Sequence, residues 1–296
     1  MIDLPADHDA VRKYLCDDAP DARLMTVKLG QSKDDMLDHQ KMPTPIKTLC
    51  AELVAATCVL AHMLKFDGEM IVQIKGAGPV NMMVAECSSK GRIRATAQWD
   101  DIGHYTTFSE LIGKGYMAVT VDPKQGERYQ GIVPLESGSI EGCINHYFDS
   151  SEQLDTKLWL SSDVATVAGL LIQRIPDEGG SRASKPSNWE TLSTLAATVT
   201  KEELASDAGP LLVYKLFHEL SPRSFDPFSI HFGCSCTRER SSRAIRALGE
   251  TEVKQLFAEQ PSVTVDCHFC GRVYQYDQAD LEWLLSDQPP RSDTLQ

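Results

Sequence analysis

The chain has 296 residues, 42% hydrophobic and 24% charged, which suffices for one large domain or a large domain with a small one. Its net charge of −13 argues against a surface built to wrap nucleic acid. Residues 1–10 carry neither the basic nor the apolar part of an export signal, and the longest apolar stretch, 53–61, is too short to span a bilayer. With nine cysteines and no such signal, a reducing, cytoplasmic compartment is expected, with no membrane partner.

In chain order, residues 23–29 read as a strand and 31–41 as a short polar helix. Thr44-Pro45 supplies an N-cap followed by proline in the first turn. The run 46–64 is rich in Ala, Leu, Val and Cys, and apart from its cysteines only Lys47, Glu52 and His62 are ionisable. A helix apolar nearly all round must be buried on most sides, so a central helix covered by sheet on more than one face is expected. Strands follow at 70–75, 80–86 and 92–99, separated by Gly76-Ala77-Gly78-Pro79 and Lys90-Gly91 turns. A short helix around 108–112, strands 116–121 and 128–135, a helix capped by Ser139 and reaching about Phe148, and strands near 157–160 and 167–175 complete the region. One buried helix among many antiparallel strands indicates an α+β fold with β/α/β layers over residues 1–176.

At Pro176 the composition changes. Residues 177–227 read as a linker: a Gly, Ser and Pro stretch, then short helices with caps at Ser187-x-x-Glu190 and Thr200-x-x-Glu203, and a third helix over 211–220. Short helices with breakers between them suggest a lightly held connector docked on the body. Residues 228–287 form a small module: strand, cysteine pair, helix 238–248 stopped by Gly249, helix 251–258, strand, cysteine pair, strand and helix. So few residues bury little core, so a metal staple is expected. Residues 288–296 have little apolar content and read as a disordered tail.

The two pairs are Cys234-Ser-Cys236 and Cys267-His-Phe-Cys270. Four thiolates on two tight turns suit a tetrahedral, borderline-soft ion, so Cys234, Cys236, Cys267 and Cys270 are the candidate ligands of one Zn2+. Arg238, Arg240, Arg243 and Arg272 lie close enough in sequence to offset the site's negative charge. The natural alternative to a shared metal for a C-x-C pair is a shared disulfide, which suggests a metal site that is also a redox switch. An inert structural zinc knuckle is the competing reading. A thioredoxin-like role for Cys267-x-x-Cys270 is poor, because a β-like run follows it rather than a helix. His268 is a possible rival ligand, while Cys16, Cys50, Cys58, Cys87 and Cys143 stand singly and read as small buried hydrophobes. No nucleophile–base pair is evident, so there is no candidate catalytic residue.

Other stretches are as distinctive as the pairs: Lys65-Phe66-Asp67-Gly68, Gly76-x-Gly78-Pro79, Gly126-Glu127-Arg128-Tyr129-Gln130-Gly131, Tyr147-Phe148-x-x-Ser151-Glu152-Gln153-Leu154, and Thr237-Arg238-Glu239-Arg240. Together with the cysteines, and over nearly the whole chain, they resemble the 33 kDa chaperonin family of redox-regulated bacterial heat-shock chaperones. The departure is Asp155, where the family often has proline. The resemblance implies a β/α/β core, a helical linker and a C-terminal zinc-binding redox switch. It implies a non-enzymatic, ATP-independent holdase, inactive while zinc is bound. Oxidation would form Cys234–Cys236 and Cys267–Cys270 disulfides, expel zinc, unfold switch and linker, and permit capture of unfolding client proteins by a form that tends to dimerise. Cross-pairing between the two pairs is geometrically open. The alternatives in other classes are an acidic metabolic or RNA-modifying enzyme with a purely structural zinc module, and a constitutive interaction scaffold.

Overall fold

Alternating apolar residues make strands that pair with their sequence neighbours, and one nearly all-apolar helix gives those strands something to cover. In the computed structural model, which describes residues 8–175, 188–207 and 209–286, the chain opens with strands β1 (Ala10–Cys16) and β2 (Ala19–Leu29) and helices α1 (Gln31–Leu37) and α2 (Thr44–Met63). Then come β3 (Gly68–Gly76), β4 (Val80–Ser88), β5 (Arg92–Trp99), α3 (Phe108–Ile112), β6 (Gly115–Pro123), β7 (Tyr129–Pro134), α4 (Ile140–Tyr147), β8 (Thr156–Ser162) and β9 (Val167–Arg174). Helices α5 (Trp189–Ala196), α6 (Lys201–Asp207) and α7 (Pro210–Phe217) lead to three very short strands, β10 (Pro222–Ser224), β11 (Phe228–Ser229) and β12 (His231–Phe232).

Two six-stranded sheets result. One has the order β10-β1-β2-β9-β8 with β11 also on β1, and the other β12-β5-β4-β3-β6-β7. Helix α2 packs against β3, β4 and β5 of the second sheet and against β2, β8 and β9 of the first. This is the β/α/β layering expected from its composition. By length and composition α2 is long and apolar enough to cross a membrane, longer than the 53–61 run suggests, but 72% of its apolar window is buried inside the protein. Thr57, in the middle of that window, satisfies its hydroxyl on the Leu53 carbonyl at 2.7 Å. Thr44 is not the N-cap: the helix starts one residue earlier, with Pro43 at the cap and no side-chain cap bond, because Pro45 already lacks one of the amides a cap would serve.

The first sheet is covered on its other face too. Leu192, Leu212 and Phe217 of α5 and α7 bury themselves against Tyr14, Leu24, Leu170 and Ile172. That explains β9, where seven successive residues are buried: a strand covered on both faces loses its alternation. The Thr200–Glu203 capping box forms as expected, with Glu203 receiving the Thr200 amide at 3.0 Å and the Thr200 hydroxyl receiving the Glu203 amide at 3.1 Å. Strands β1 and β10 were not expected, and the single strand expected just before the first cysteine pair is two short ones, β11 and β12. Arg12 and Lys13 interrupt the alternation of β1, and elements of two or three residues carry no periodicity to read.

The chain divides into two compact units, Met1–Gly233 and Cys234–Gln296. Residues 228–233, grouped by sequence with the C-terminal module, pair in the first unit instead: β11 runs antiparallel to β1 and β12 parallel to β5. The second unit holds α8 (Arg238–Arg246), α9 (Glu250–Glu259), β13 (Ser262–Asp266), β14 (Val273–Asp277) and α10 (Leu281–Leu285). Its buried apolar core is Ile245, Val253, Phe257, Tyr276 and Leu284, and Gly249 at φ +90° ends α8 as expected. The Ser187 cap, most of the 177–188 stretch and the 288–296 tail lie outside the described residues.

Candidate metal centre

Both cysteine pairs sit on turns whose backbones are held by local chemistry. Cys234 and Cys236 immediately precede α8, whose N-cap Thr237 accepts the Arg240 amide at 3.1 Å. Arg240 reaches back over the turn and donates to the Ser235 carbonyl at 3.1 Å and hydroxyl at 2.7 Å. Cys267 and Cys270 lie in the connection between β13 and β14, an antiparallel pair that ends at Asp266 opposite Val273. The Cys267 amide donates to the Arg272 carbonyl at 2.9 Å, the Gly271 amide returns to the Cys267 carbonyl at 2.8 Å, and Gly271 takes φ +65°, which disfavours a side chain. The pair thus closes a hairpin and does not open a helix, against a thioredoxin-like role.

These two turns bring all four Sγ atoms within 4.8 Å of one another, each thiol half-buried. The closest contacts are Cys234 to Cys267 at 3.6 Å and Cys236 to Cys270 at 3.3 Å. A tetrahedral zinc with thiolate bonds of about 2.3 Å places its sulfurs about 3.8 Å apart, so the cluster fits zinc with small adjustments. His268 is not among the clustered ligand atoms.

The thiols are not equivalent. Burial raises the pKa of Cys236, but hydrogen bonds from the Tyr274 hydroxyl, 3.2 Å away, and from the neighbouring thiols outweigh it and bring it to about 7. Burial first, and the thiols around them, raise Cys267 and Cys270. The surroundings of Cys236 therefore favour its thiolate form. Arg272 answers that charge: its pKa is raised by the Tyr274 hydroxyl and by the Cys236 and Cys270 thiols. Of the other arginines expected to offset the site, Arg238 is committed to Asp280 at 2.6 Å and lies over the Tyr276 ring, Arg240 braces the first turn, and Arg243 is exposed.

The five single cysteines are buried, as expected. Burial pushes Cys16 and Cys50 up to about 12 and raises Cys58 and Cys143, so none of these four resembles Cys236 as a source of thiolate. Tyr274 was missed from sequence. Strand alternation places it on the same face as the buried Tyr276, but nothing in the sequence says that its hydroxyl reaches across to the first cysteine turn.

Known proteins resemble nearly the whole chain. The family model described as Hsp33 protein matches residues 9–277. The 33 kDa chaperonin of Shewanella sediminis is 38% identical over 280 residues, covering 94% of this chain and 96% of that protein. The 33 kDa chaperonin of Pseudomonas fluorescens strain SBW25 is 38% identical over 290 residues, covering 97% and 96%. The crystal structure of the 33 kDa chaperonin of Thermotoga maritima superposes with a TM-score of 0.79 at 20% identity, covering 94% of this chain and 98% of that one, and shares the fold.

Proposed function

The chain belongs to the Hsp33 family of heat-shock chaperones, and from that we propose that it is a redox-regulated, ATP-independent holdase acting in the cytoplasm, with no catalytic residues. Its clients are unfolding proteins. The observation that carries the reading is the convergence of Cys234, Cys236, Cys267 and Cys270 in a unit whose buried apolar core, among the described residues, is five side chains. Zinc, one per chain, would be held by these four thiolates and would supply the cross-link that so small a core cannot replace. Structural zinc contributes on the order of 10 kcal/mol to such modules.

Oxidation of the four thiolates by a peroxide would remove two electrons for each disulfide formed, the peroxide taking up two solvent protons and leaving as water, and a bound metal would then lose its ligands. We read the products as Cys234–Cys236 and Cys267–Cys270. A cross-link such as Cys234–Cys267 would close a long loop and retain about 3–4 kcal/mol of stapling in the unit. Neighbour pairs leave it free to unfold. Functionally the chain then divides into a core, 1–176, a connector, 177–227, and a switch, 228–287. The connector helices cover the apolar outer face of the first sheet, and β12 ends two residues before Cys234, so disorder in the switch begins at the connector's own end. Loosening of the connector would uncover Tyr14, Leu24, Leu170 and Ile172 as client surface, and a pair of oxidised chains would cover part of it as a homodimer.

The test is zinc content, disulfide mapping and suppression of client aggregation, measured on the same samples before and after peroxide. The expected result is one zinc per reduced chain, none after oxidation, neighbour disulfides, and client protection in the oxidised sample alone. Full zinc retention by the Cys267→Ser, Cys270→Ser double variant would refute the ligand assignment. Protection by the reduced protein equal to that by the oxidised protein would mean a constitutive scaffold.

A further inference from the structure

Three of the stretches that carry the family resemblance meet at a place remote in sequence from the cysteines. Phe66 follows α2, Tyr129 opens β7, and Tyr147, Phe148, Glu152 and Leu154 lie at the end of α4. All of them line one cavity of about 490 Å³ within the first unit, inside the range of about 300–1,000 Å³ usual for small-molecule sites. The walls are mostly apolar. Leu60 and Met63 of α2, Met70 of β3 and Val119 and Val121 of β6 supply them.

The local backbone is unusual in the same place. Residues Phe148–Glu152 form a π-helical turn, a form that often marks functional sites, and Gln153 follows at φ +52°. Gly131 of β7 is a glycine because the Tyr147 ring lies against it, 2.7 Å from where a Cβ would stand. The hydroxyls of Tyr129 and Tyr147 both donate to Glu152 Oε1, at 2.9 and 2.6 Å, so that carboxylate is already satisfied.

Arg23 also lines the cavity, and it is not satisfied in the same way. Its Nε donates to Gln173 Oε1 at 2.9 Å, Nη2 donates to the same oxygen, and Nη1 caps the Met63 carbonyl at the end of α2 at 2.9 Å. A guanidinium has five N–H groups, so two are left over among the described residues. Burial lowers its pKa. Lys65 lines the same cavity, and among the described residues neither Arg23 nor Lys65 takes part in an ion pair. Capping α2 alone would need one N–H and no cavity. An apolar chamber with an unneutralised, half-buried guanidinium in its wall suits a molecule that is apolar along its length and anionic at one end.

We propose that this cavity binds an apolar monocarboxylate of the fatty-acid type, its carboxylate on Arg23 and its tail along Met63, Met70 and Val121. Titration calorimetry of decanoate into the reduced, full-length protein should show saturable binding of one molecule per chain. 1-Decanol should bind at least about tenfold more weakly, and Arg23→Gln should weaken decanoate by about the same factor, as loss of a charge-assisted contact requires. Val121→Phe, which fills the chamber, should abolish binding. The methyl resonances of Met63 and Met70 should shift on titration, and those of Met36 and Met42 should not. Equal affinity for decanol, unchanged affinity in Arg23→Gln, or shifts at Met36 and Met42 alone would each overturn the proposal. So would binding of N-acetyl-trileucine with a free carboxylate when decanoate does not bind, since the site would then read peptide ends. If Arg23→Gln does not fold, the decanol comparison and Val121→Phe decide.

Discussion

Among single residues, Glu52 is the clearest case of a charge placed where the fold does not favour it. It lies on α2, and burial raises its pKa from 4.5 to about 7, aided by the nearby Glu141 carboxylate and opposed by Lys201. With a folded pKa above the unfolded one, the native state is the better proton binder. The contribution of Glu52 to stability should therefore be greatest below about pH 4.5 and fall as pH rises through about 7, by at most about 3 kcal/mol. Glu52→Gln removes that dependence. Urea midpoints at pH 5 and pH 8 should show the variant gaining on the natural protein by about 1–3 kcal/mol at the higher pH. An advantage that does not grow with pH would show that Glu52 is solvated and ordinary. Residues of this kind divide sharply in what sequence reveals. The clustering of the four cysteines was legible because thiol spacing suits a shared ion, and the Thr200–Glu203 capping box because it is local. Tyr274 on Cys236 and Arg23 beneath α2 were not legible, because each acts on a partner brought close only by the fold.

At the scale of elements, the connector helices are the informative case. Their breakers and shortness read as weak attachment, yet the structure gives them an apolar seam with Phe217 fully buried at its centre. Both descriptions hold if the seam is what keeps an otherwise marginal segment in place. Phe217→Ala should then cost about 3–5 kcal/mol locally and free α5 to α7 while the zinc cluster stays intact. The reduced variant, with its zinc retained, should suppress client aggregation that the reduced natural protein does not. A reduced variant that is loosened by hydrogen exchange but still inactive would separate connector release from client binding. Most elements here were legible because their periodicity spans five or more residues. Strand β1 escaped notice because two adjacent basic residues interrupt it, and β10, like the division of the strand before Cys234 into β11 and β12, because pairing alone defines strands of two or three residues.

For the whole molecule, the two units differ in what holds them. The first is built on a 20-residue helix enclosed by sheet on two sides, with a second seam outside the first sheet. The second rests on five buried side chains, a two-stranded sheet, the Arg238–Asp280 ion pair and four thiols held within 4.8 Å. Sequence showed this asymmetry through the small size of the C-terminal module and its two cysteine pairs. It could not show that the division falls at Gly233, because the short strands preceding that residue are claimed by sheets formed from the N-terminal part of the chain. Bringing four thiolates together without a cation is unfavourable, and the small core has little to set against that. Removing zinc with a chelator under reducing conditions should therefore unfold the second unit alone, without any disulfide. Amide exchange should become fast across α8 to α10 and the β13–β14 pair, increase in the connector from Trp189 onward, and stay slow in α2. Retained protection in α8 and β14 after complete zinc loss would mean that the side-chain core suffices, and that the cysteines are not the staple. Loss of protection in α2 as well would mean that the two units do not fold independently.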